Sequence, residues 1–203
     1  MRVASERLTG VLLVGGASTR FGSPKALAKL GGETLAERAW RTLGEACVAR
    51  IAVGKAADGL ELPFPIVDDG SAVRAPIAGV VAGVAAAETE LCVVLPVDCP
   101  LVDAAVLHRL AGACAGADAA VPQTGPLPGS YRRTALPALQ RRLAAERLSL
   151  RDALRDLDTR TIALDVSRLV NVNTVDDLQS LLPGSDPCLA PAWPGPGPGG
   201  SAG

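Results

Sequence analysis

The segment Leu12 to Lys25 reads LLVGGASTRFGSPK, and its residue types suit phosphate chemistry. An apolar run ends in Gly15-Gly16. A small polar loop follows, carrying Arg20 and closing on Lys25 with no acidic residue between them. Glycines let backbone N–H groups approach phosphate oxygens closely, and the cations offset phosphate charge. The spacing excludes two common phosphate loops. A Walker A motif needs lysine directly after its second glycine, whereas Ser23 and Pro24 separate Gly22 from Lys25. The dinucleotide fingerprint needs G-x-G-x-x-G, which Gly15-Gly16-Ala17-Ser18-Thr19-Arg20 lacks. The alternative is a glycine-rich turn with incidental cations. Against it, the chain has only three lysines (Lys25, Lys29, Lys55) and uses arginine at most other cationic positions.

Two carboxylates accompany the loop. Asp98, in LPVDCPL, ends an apolar run too hydrophobic to face water along its length. A carboxylate there faces the crevice in which α/β sheets bind ligands. It suits Mg²⁺, which is held by one or two carboxylates plus substrate phosphates. A capping role for Asp98 is weaker, because Asp103 is better placed to cap the next helix. Asp69, in Asp68-Asp69-Gly70, falls at a similar strand end, although a turn alone would explain that tripeptide. No Ser/His/Asp or Cys/His set is evident, and the single histidine, His108, lies in a helical pattern beside Arg109. Chemistry without a strong general base fits a nucleophile that is already an anion, such as a phosphate monoester attacking another phosphate. Catalysis then reduces to positioning and charge stabilisation.

The elements that must position these groups follow from the hydrophobic pattern. Leu8 to Val14 and Leu91 to Val97 read as buried parallel strands. Shorter strands fall at Ile51 to Gly54, Pro65 to Val67 and Ala119 to Pro122. Helices are predicted over Thr34 to Cys47, over Ile77 to Ala87 behind Pro76, and from Asp103 to Cys114. Strand–helix alternation through the first 120 or so residues predicts an α/β fold, a Rossmann-like, doubly wound, mostly parallel sheet with helices on both faces. Beyond it come an edge strand at Leu127 to Arg133, helices at Ala135 to Ala145 and Leu150 to Leu157, and a strand at Thr161 to Val166. A last helix starts from the capping pattern Thr174 with Asp177 and runs to Leu182. Residues 1–7 read as an N-terminal extension, 8–182 as one domain, and 183–203 as a disordered tail of Pro, Gly, Ser and Ala.

Composition narrows the partners. A net charge of −1, with no basic run or aromatic ladder, argues against nucleic-acid binding. No apolar run is long enough to span a membrane, and MRVASERLTG lacks the apolar stretch of a secretory signal. Five cysteines without C-x-x-C spacing, and one histidine, build no zinc site and read as reduced, mostly buried thiols. The expectation is a soluble cytoplasmic protein.

Read in order, LLVGGASTRFGSPKAL, VDDGSAVRAPIAGV, VVLPVDCPL and LVNVNTVDDL resemble the molybdenum cofactor guanylyltransferases, the MobA-like branch of the nucleotidyltransferases. The resemblance spans about Leu8 to Leu182. The family pattern L-A-G-G-x-S-x-R-M-G-x-x-K is matched by Leu13, Gly15, Gly16, Ser18, Arg20, Gly22 and Lys25, with Val14 for Ala and Phe21 for Met. The resemblance implies that Leu13, Val14, Gly15 and Gly16 contact GTP and that Lys25 meets its phosphates. It implies that Asp69 contacts the nucleotide, that Asp98 within Pro96-Val97-Asp98-Cys99-Pro100 binds Mg²⁺, and that Asn171 and Asn173 lie near the active site. Three positions depart from the pattern. Ala75 replaces the first Gly of G-P-L-A-G, Gly54-Lys55-Ala56 lacks an asparagine, and GPLPGSYRR lacks a histidine.

The implied reaction is GMP transfer from GTP to Mo-molybdopterin, with pyrophosphate released. Asp98, Lys25 and Arg20 would be the catalytic groups, and molybdenum cofactor delivery or acceptor proteins the partners. Alternatives are a cytidylyltransferase for the same cofactor, guanylyl transfer to another phosphorylated small molecule, and a non-catalytic nucleotide-binding module. By resemblance the cytidylyltransferases carry L-A-A-G and G-D-Q-P, so Gly15-Gly16 and Pro96-Val97-Asp98 favour guanine. Intact Lys25 and Asp98 favour catalysis over binding alone. Deleting the chain after Leu182 is expected to leave activity and thermal midpoint unchanged, and a loss of either in the truncated protein would contradict the assignment of the tail.

Overall fold

The computed structural model describes residues 7–15 and 24–182. Gly16, Arg20 and Gly22 of the first loop, the first six residues and the tail from Pro183 lie outside the described residues.

Leu8–Leu13 forms β1, buried at every position. After the first loop a short 3-10 turn at Lys25–Leu27 leads into a small hairpin, β2 (Lys29–Leu30) and β3 (Glu33–Thr34). Its turn is Gly31-Gly32, whose φ values of +63° and +88° favour glycine. Thr34 then caps α1 (Leu35–Ala46) in a reciprocal capping box with Glu37. β4 (Ala49–Gly54), β5 (Ile66–Asp68), α2 (Pro76–Ala86) and β6 (Leu91–Pro96) follow. Asp103 caps α3 (Ala104–Ala113), which returns the chain to β7 (Ala119–Pro122) and then β8 (Gly129–Arg132). α4 (Leu136–Ala144), α5 (Leu150–Ala153), β9 (Thr159–Ile162) and α6 (Val175–Ser180) complete the domain.

The main sheet has seven strands in the order β5-β4-β1-β6-β8-β7-β9. Pairing is parallel except where β8 meets β6 and β7. This is the doubly wound, mostly parallel sheet expected from the alternation of elements. Side chains of β1 alternate between its faces. Leu12 joins the cluster with Leu35, Leu43 and Leu107 of α1 and α3, whereas Val11 and Leu13 join Ile77, Val80 and Leu139 of α2 and α4. β1 is therefore covered on both faces, which explains its unbroken apolar sequence.

Three expectations change. The segment Leu127 to Arg133 is not an edge strand, since β8 lies inside the sheet with Ser130 opposite Val93 on one side and Ala120 on the other. Pro128, the proline within that segment, precedes the strand, so the N–H groups of Gly129–Arg132 remain available on both sides. The strand expected at Thr161 to Val166 is β9 at Thr159–Ile162, and Val166–Arg168 is a 3-10 turn whose cap is Asp165. The helix expected over Leu150 to Leu157 is α only to Ala153 and tightens to 3-10 at Leu154–Asp156. Among the described residues no helix is long and apolar enough to cross a membrane.

The site depends on close seating of α2 against β1. A Cβ on Gly83 would lie 2.3 Å from Val11 Cγ1, and one on Gly79 would lie 2.8 Å from Leu13 Cδ2. Alanine improves helix propensity by about 1 kcal/mol, but overpacking a core costs roughly 1–3 kcal/mol. Gly83→Ala is therefore expected to lower the urea midpoint, with a net loss of about 1 kcal/mol. Gly112→Ala, at an open position on α3, is expected to raise it.

Candidate active site

Three backbone hydrogen bonds align the strand ends that carry the polar groups. Val14 N–H donates to Val53 O (3.0 Å), Val97 N–H to Leu13 O (3.0 Å), and Asp69 N–H to Gly54 O (2.9 Å). The carboxyl ends of β1, β4, β5 and β6 thus finish together, as ligand sites in open α/β sheets require. A cavity of about 440 Å³ opens there, and Gly15, Lys55, Asp69, Asp98, Arg151 and Asn171 are among the residues lining it. Leu13 also lines the cavity, whereas Val14 is buried with its N–H engaged by Val53.

Lys25 and Asp98 meet at this end of the sheet. Lys25 Nζ lies 3.5 Å from Asp98 Oδ2, and donates a 2.9 Å hydrogen bond to Asn173 Oδ1. Buried Ala26 anchors the turn that holds Lys25. The backbone of Asp98 is fixed from the chain's other end, because its carbonyl accepts from Val172 N–H at 2.8 Å. Beside it the Cys99 thiol donates to Asn171 Oδ1 at 2.9 Å. Burial, and next the negative charge of Asp98, push that thiol's pKa up, so it remains protonated as a donor. Asp177 holds the same segment from below by accepting from the N–H groups of Asn173 and Thr174 at 2.8 and 2.9 Å. Those hydrogen bonds lower the pKa of Asp177. Their stabilisation is complete above the ordinary carboxylate range and is lost as pH falls through the lowered value.

Asp69 pairs with a residue that the motif reading did not select. Lys55 Nζ lies 2.6 Å from Asp69 Oδ1 and also donates to the Ser71 carbonyl. Asp69 Oδ1 additionally accepts from Ser71 N–H at 2.9 Å. The signal was present in the sequence, because the scarcity of lysine that singles out Lys25 applies equally to Lys55. Arg151 and the segment Thr124 to Leu127, on the opposite wall, were likewise not singled out. Arg151 donates to Thr124 O at 3.2 Å, and buried Tyr131 fixes the loop by donating to Pro126 O at 2.7 Å. His108 is exposed on α3 and is not among the residues lining the cavity.

Asp98 suits a hard cation that draws most of its oxygen ligands from substrate and water. Its carboxylate lines the cavity with 27% of the side chain exposed. Among the described residues no group of three or more His, Cys, Asp or Glu could cage an ion.

Residues 10–161 match the family described as MobA-like NTP transferase domain. The chain belongs to this family. It is 32% identical over 185 residues to a Bacillus subtilis protein named "Probable molybdenum cofactor guanylyltransferase", covering 84% of this chain and 92% of that one. A Chloroflexus aggregans protein of the same name is 31% identical, over 85% of this chain and 92% of its own. Among solved structures, molybdopterin-guanine dinucleotide biosynthesis protein A from Archaeoglobus fulgidus superposes with a TM-score of 0.73 at 26% identity. That match covers 85% of this chain and 95% of the other.

One departure from the MobA-like pattern has a simple local account. Ala75 precedes α2 with φ −142° and ψ 146°, extended backbone that any residue adopts, so alanine replaces glycine there without strain. In this MobA-like site Asn173 orients Lys25. Asn173→Ala is expected to weaken nucleoside triphosphate binding about tenfold, the effect of one hydrogen bond to a charged group. It should leave affinity for the unphosphorylated nucleoside unchanged, as isothermal titration calorimetry would measure.

Proposed function

We propose that this chain transfers GMP from GTP to Mo-molybdopterin, forming the guanine dinucleotide form of the molybdenum cofactor and releasing pyrophosphate. The observation that carries this reading is the 3.5 Å contact between Lys25 and Asp98, the latter lining a cavity at the carboxyl end of the sheet. The names of the relatives supply the nucleotide and the acceptor.

The terminal phosphate of molybdopterin is an anion, so the site needs no strong base. One of its oxygens bonds to the α-phosphorus of GTP as the bond from that phosphorus to the bridging oxygen of the β-phosphate breaks. The electron pair leaves with pyrophosphate. Lys25, oriented by Asn173, offsets charge on the phosphates, and Gly15 leaves room for the phosphate chain to pass β1 closely. Arg20 and Gly16, outside the described residues, complete the phosphate loop in this reading. Asp98 would hold Mg²⁺ together with the substrate phosphates, and the ion would supply charge neutralisation and alignment there. Arg151 and the Thr124 to Leu127 wall face the side left open for the acceptor, where a cation suits an incoming phosphate monoester.

In this reading residues 8–182 carry the activity, with 1–7 and 183–203 outside it. The enzyme works in the cytoplasm and passes its product to molybdenum cofactor delivery or acceptor proteins. The test is pyrophosphate release with Mo-molybdopterin, Mg²⁺ and either GTP or CTP. Release with GTP is expected. Release with CTP alone would overturn the guanine assignment, and release with neither would favour a binding module. Asp98→Ala is expected to reduce turnover by about a hundred- to a thousandfold, the scale for loss of a preorganised charge-stabilising group, whereas His108→Ala should leave it unchanged.

A further inference from the structure

Among the described residues the cations lining the cavity are Lys55, Arg74 and Arg151, and carboxylates neutralise the first two. Lys55 pairs with Asp69 at 2.6 Å, and Arg74 grips Asp58 through both terminal nitrogens at 3.2 and 2.6 Å. Arg151 has no ion pair among the described residues, and its neighbour Asp152 is engaged by Arg155 at 3.1 Å. Its hydrogen bond from Nη2, at 3.2 Å, goes to the neutral carbonyl of Thr124. A guanidinium carries five N–H donors, so most are left for a ligand, on a side chain exposed at the cavity wall. A cation without a counter-charge, presenting a planar fork of donors, suits a phosphate.

Packing sets its place. Leu150 and Ala153, on either side of Arg151, are buried and anchor α5. The facing loop joins β7 to β8 and is held by the Tyr131 hydroxyl, which donates to the Pro126 carbonyl. In the strand order β8 and β7 lie beyond β6, so this loop is on the far side of Asp98 from β4 and β5. The guanidinium lies over Gly125 of that loop, since a Cβ on Gly125 would meet Arg151 Nη2 at 3.3 Å. Gly125 is not among the glycines with positive φ, so the position needs space and not backbone freedom. A side chain larger than a methyl group would take the volume that the guanidinium fills.

Resting on the guanylyl-transfer reading, we propose that Arg151, seated over Gly125, selects the acceptor by the charge of its phosphate and favours release of the product. The acceptor brings a phosphate monoester, whose charge near neutral pH is about −1.5 to −2. Transfer joins that phosphate to GMP through a bridging oxygen, and the disubstituted diphosphate keeps a single negative charge on it. The guanidinium therefore loses part of its attraction once the new bond has formed. Substrate is held more tightly at this wall than product. Gly125 is a positioning residue here, acting only by leaving the guanidinium its place.

Equilibrium binding to the full chain tests this with Mo-molybdopterin, its phosphatase-treated form and the guanine dinucleotide product. The unmodified protein is expected to bind Mo-molybdopterin at least about tenfold more tightly than the phosphatase-treated form. Equal binding overturns the proposal, and that comparison needs no variant to fold. Arg151→Met is expected to weaken Mo-molybdopterin binding at least about tenfold and product binding no more than about threefold, with GTP affinity unchanged. Equal losses for acceptor and product overturn the selection by charge, and an unchanged acceptor affinity overturns the role of Arg151. In both cases GTP-dependent pyrophosphate release by the unmodified protein leaves the guanylyl-transfer reading standing. Gly125→Val is expected to reproduce the loss of acceptor affinity and to add nothing in the Arg151→Met background. Losses that add in the double variant overturn the role of Gly125. An unmodified protein that binds GTP but not Mo-molybdopterin would overturn both readings.

Discussion

The in-register parallel pairing of β1 with β4 on one side and β6 on the other is the constraint on which the site depends. Leu13 lies opposite Val53 in one ladder and Pro96 in the other. The hydrogen bonds continue one step beyond the strands, from Val14 to Val53 and from Val97 to Leu13. The start of the first loop, the Gly54–Lys55 corner and Asp98 must therefore leave the sheet at the same level. A residue slip in either ladder would turn the alternating side chains of β1 to the wrong faces, setting Leu12 against α2 and Val11 against α1 and α3. Core packing on two sides thus fixes the positions of polar groups that lie outside the core. The glycines of α2 contribute by letting that helix seat closely on Val11 and Leu13.

The two ion pairs at this end of the sheet perform different physical work. Lys25 and Asp98 are in charge contact at 3.5 Å, longer than an ordinary hydrogen bond, and each remains partly exposed. Such a pair separates readily, as the proposed roles of Lys25 on phosphate and Asp98 on a cation require. Lys55 and Asp69 are close, mostly buried and tied to Ser71. Separating them would leave a charge desolvated without a partner, which is far more costly than holding the pair together. One pair is suited to exchanging partners with substrate, and the other to presenting a fixed pattern of donor and acceptor.

Much of this was legible in the sequence because the controlling signals are local. The unbroken apolar runs of β1 and β6, the capping boxes at Thr34 and Thr174, and Pro76 at the start of α2 all announce themselves within a few residues. Asp98 was legible for the same reason, as a charge closing a run that cannot face water. The position of β8 was not, because whether a strand is internal depends on which neighbours reach it, and nearby prolines mimic the signature of an edge. Lys55 was missed because its partner is 14 residues away across the β4–β5 crossover. The same residue type near the first loop was found because a motif framed it.

The segment Asn171 to Thr174 shows why a short polar motif far along the chain belongs to the site. Val172 is buried and its N–H holds the carbonyl of Asp98, so the backbone bearing the carboxylate is fixed by a residue more than seventy positions later. The flanking asparagines face opposite tasks, Asn171 accepting from the Cys99 thiol and Asn173 from Lys25. The alternation of Asn, Val and Asn follows from this geometry. An extended segment turns successive side chains to opposite sides, so one apolar residue can anchor it while its neighbours reach two different parts of one site. Asp177 then ties the segment to the first turn of α6, where backbone N–H groups need an acceptor in any case. The last helix thereby orients a lysine at the beginning of the chain, and neither end of the sequence can form the site without the other.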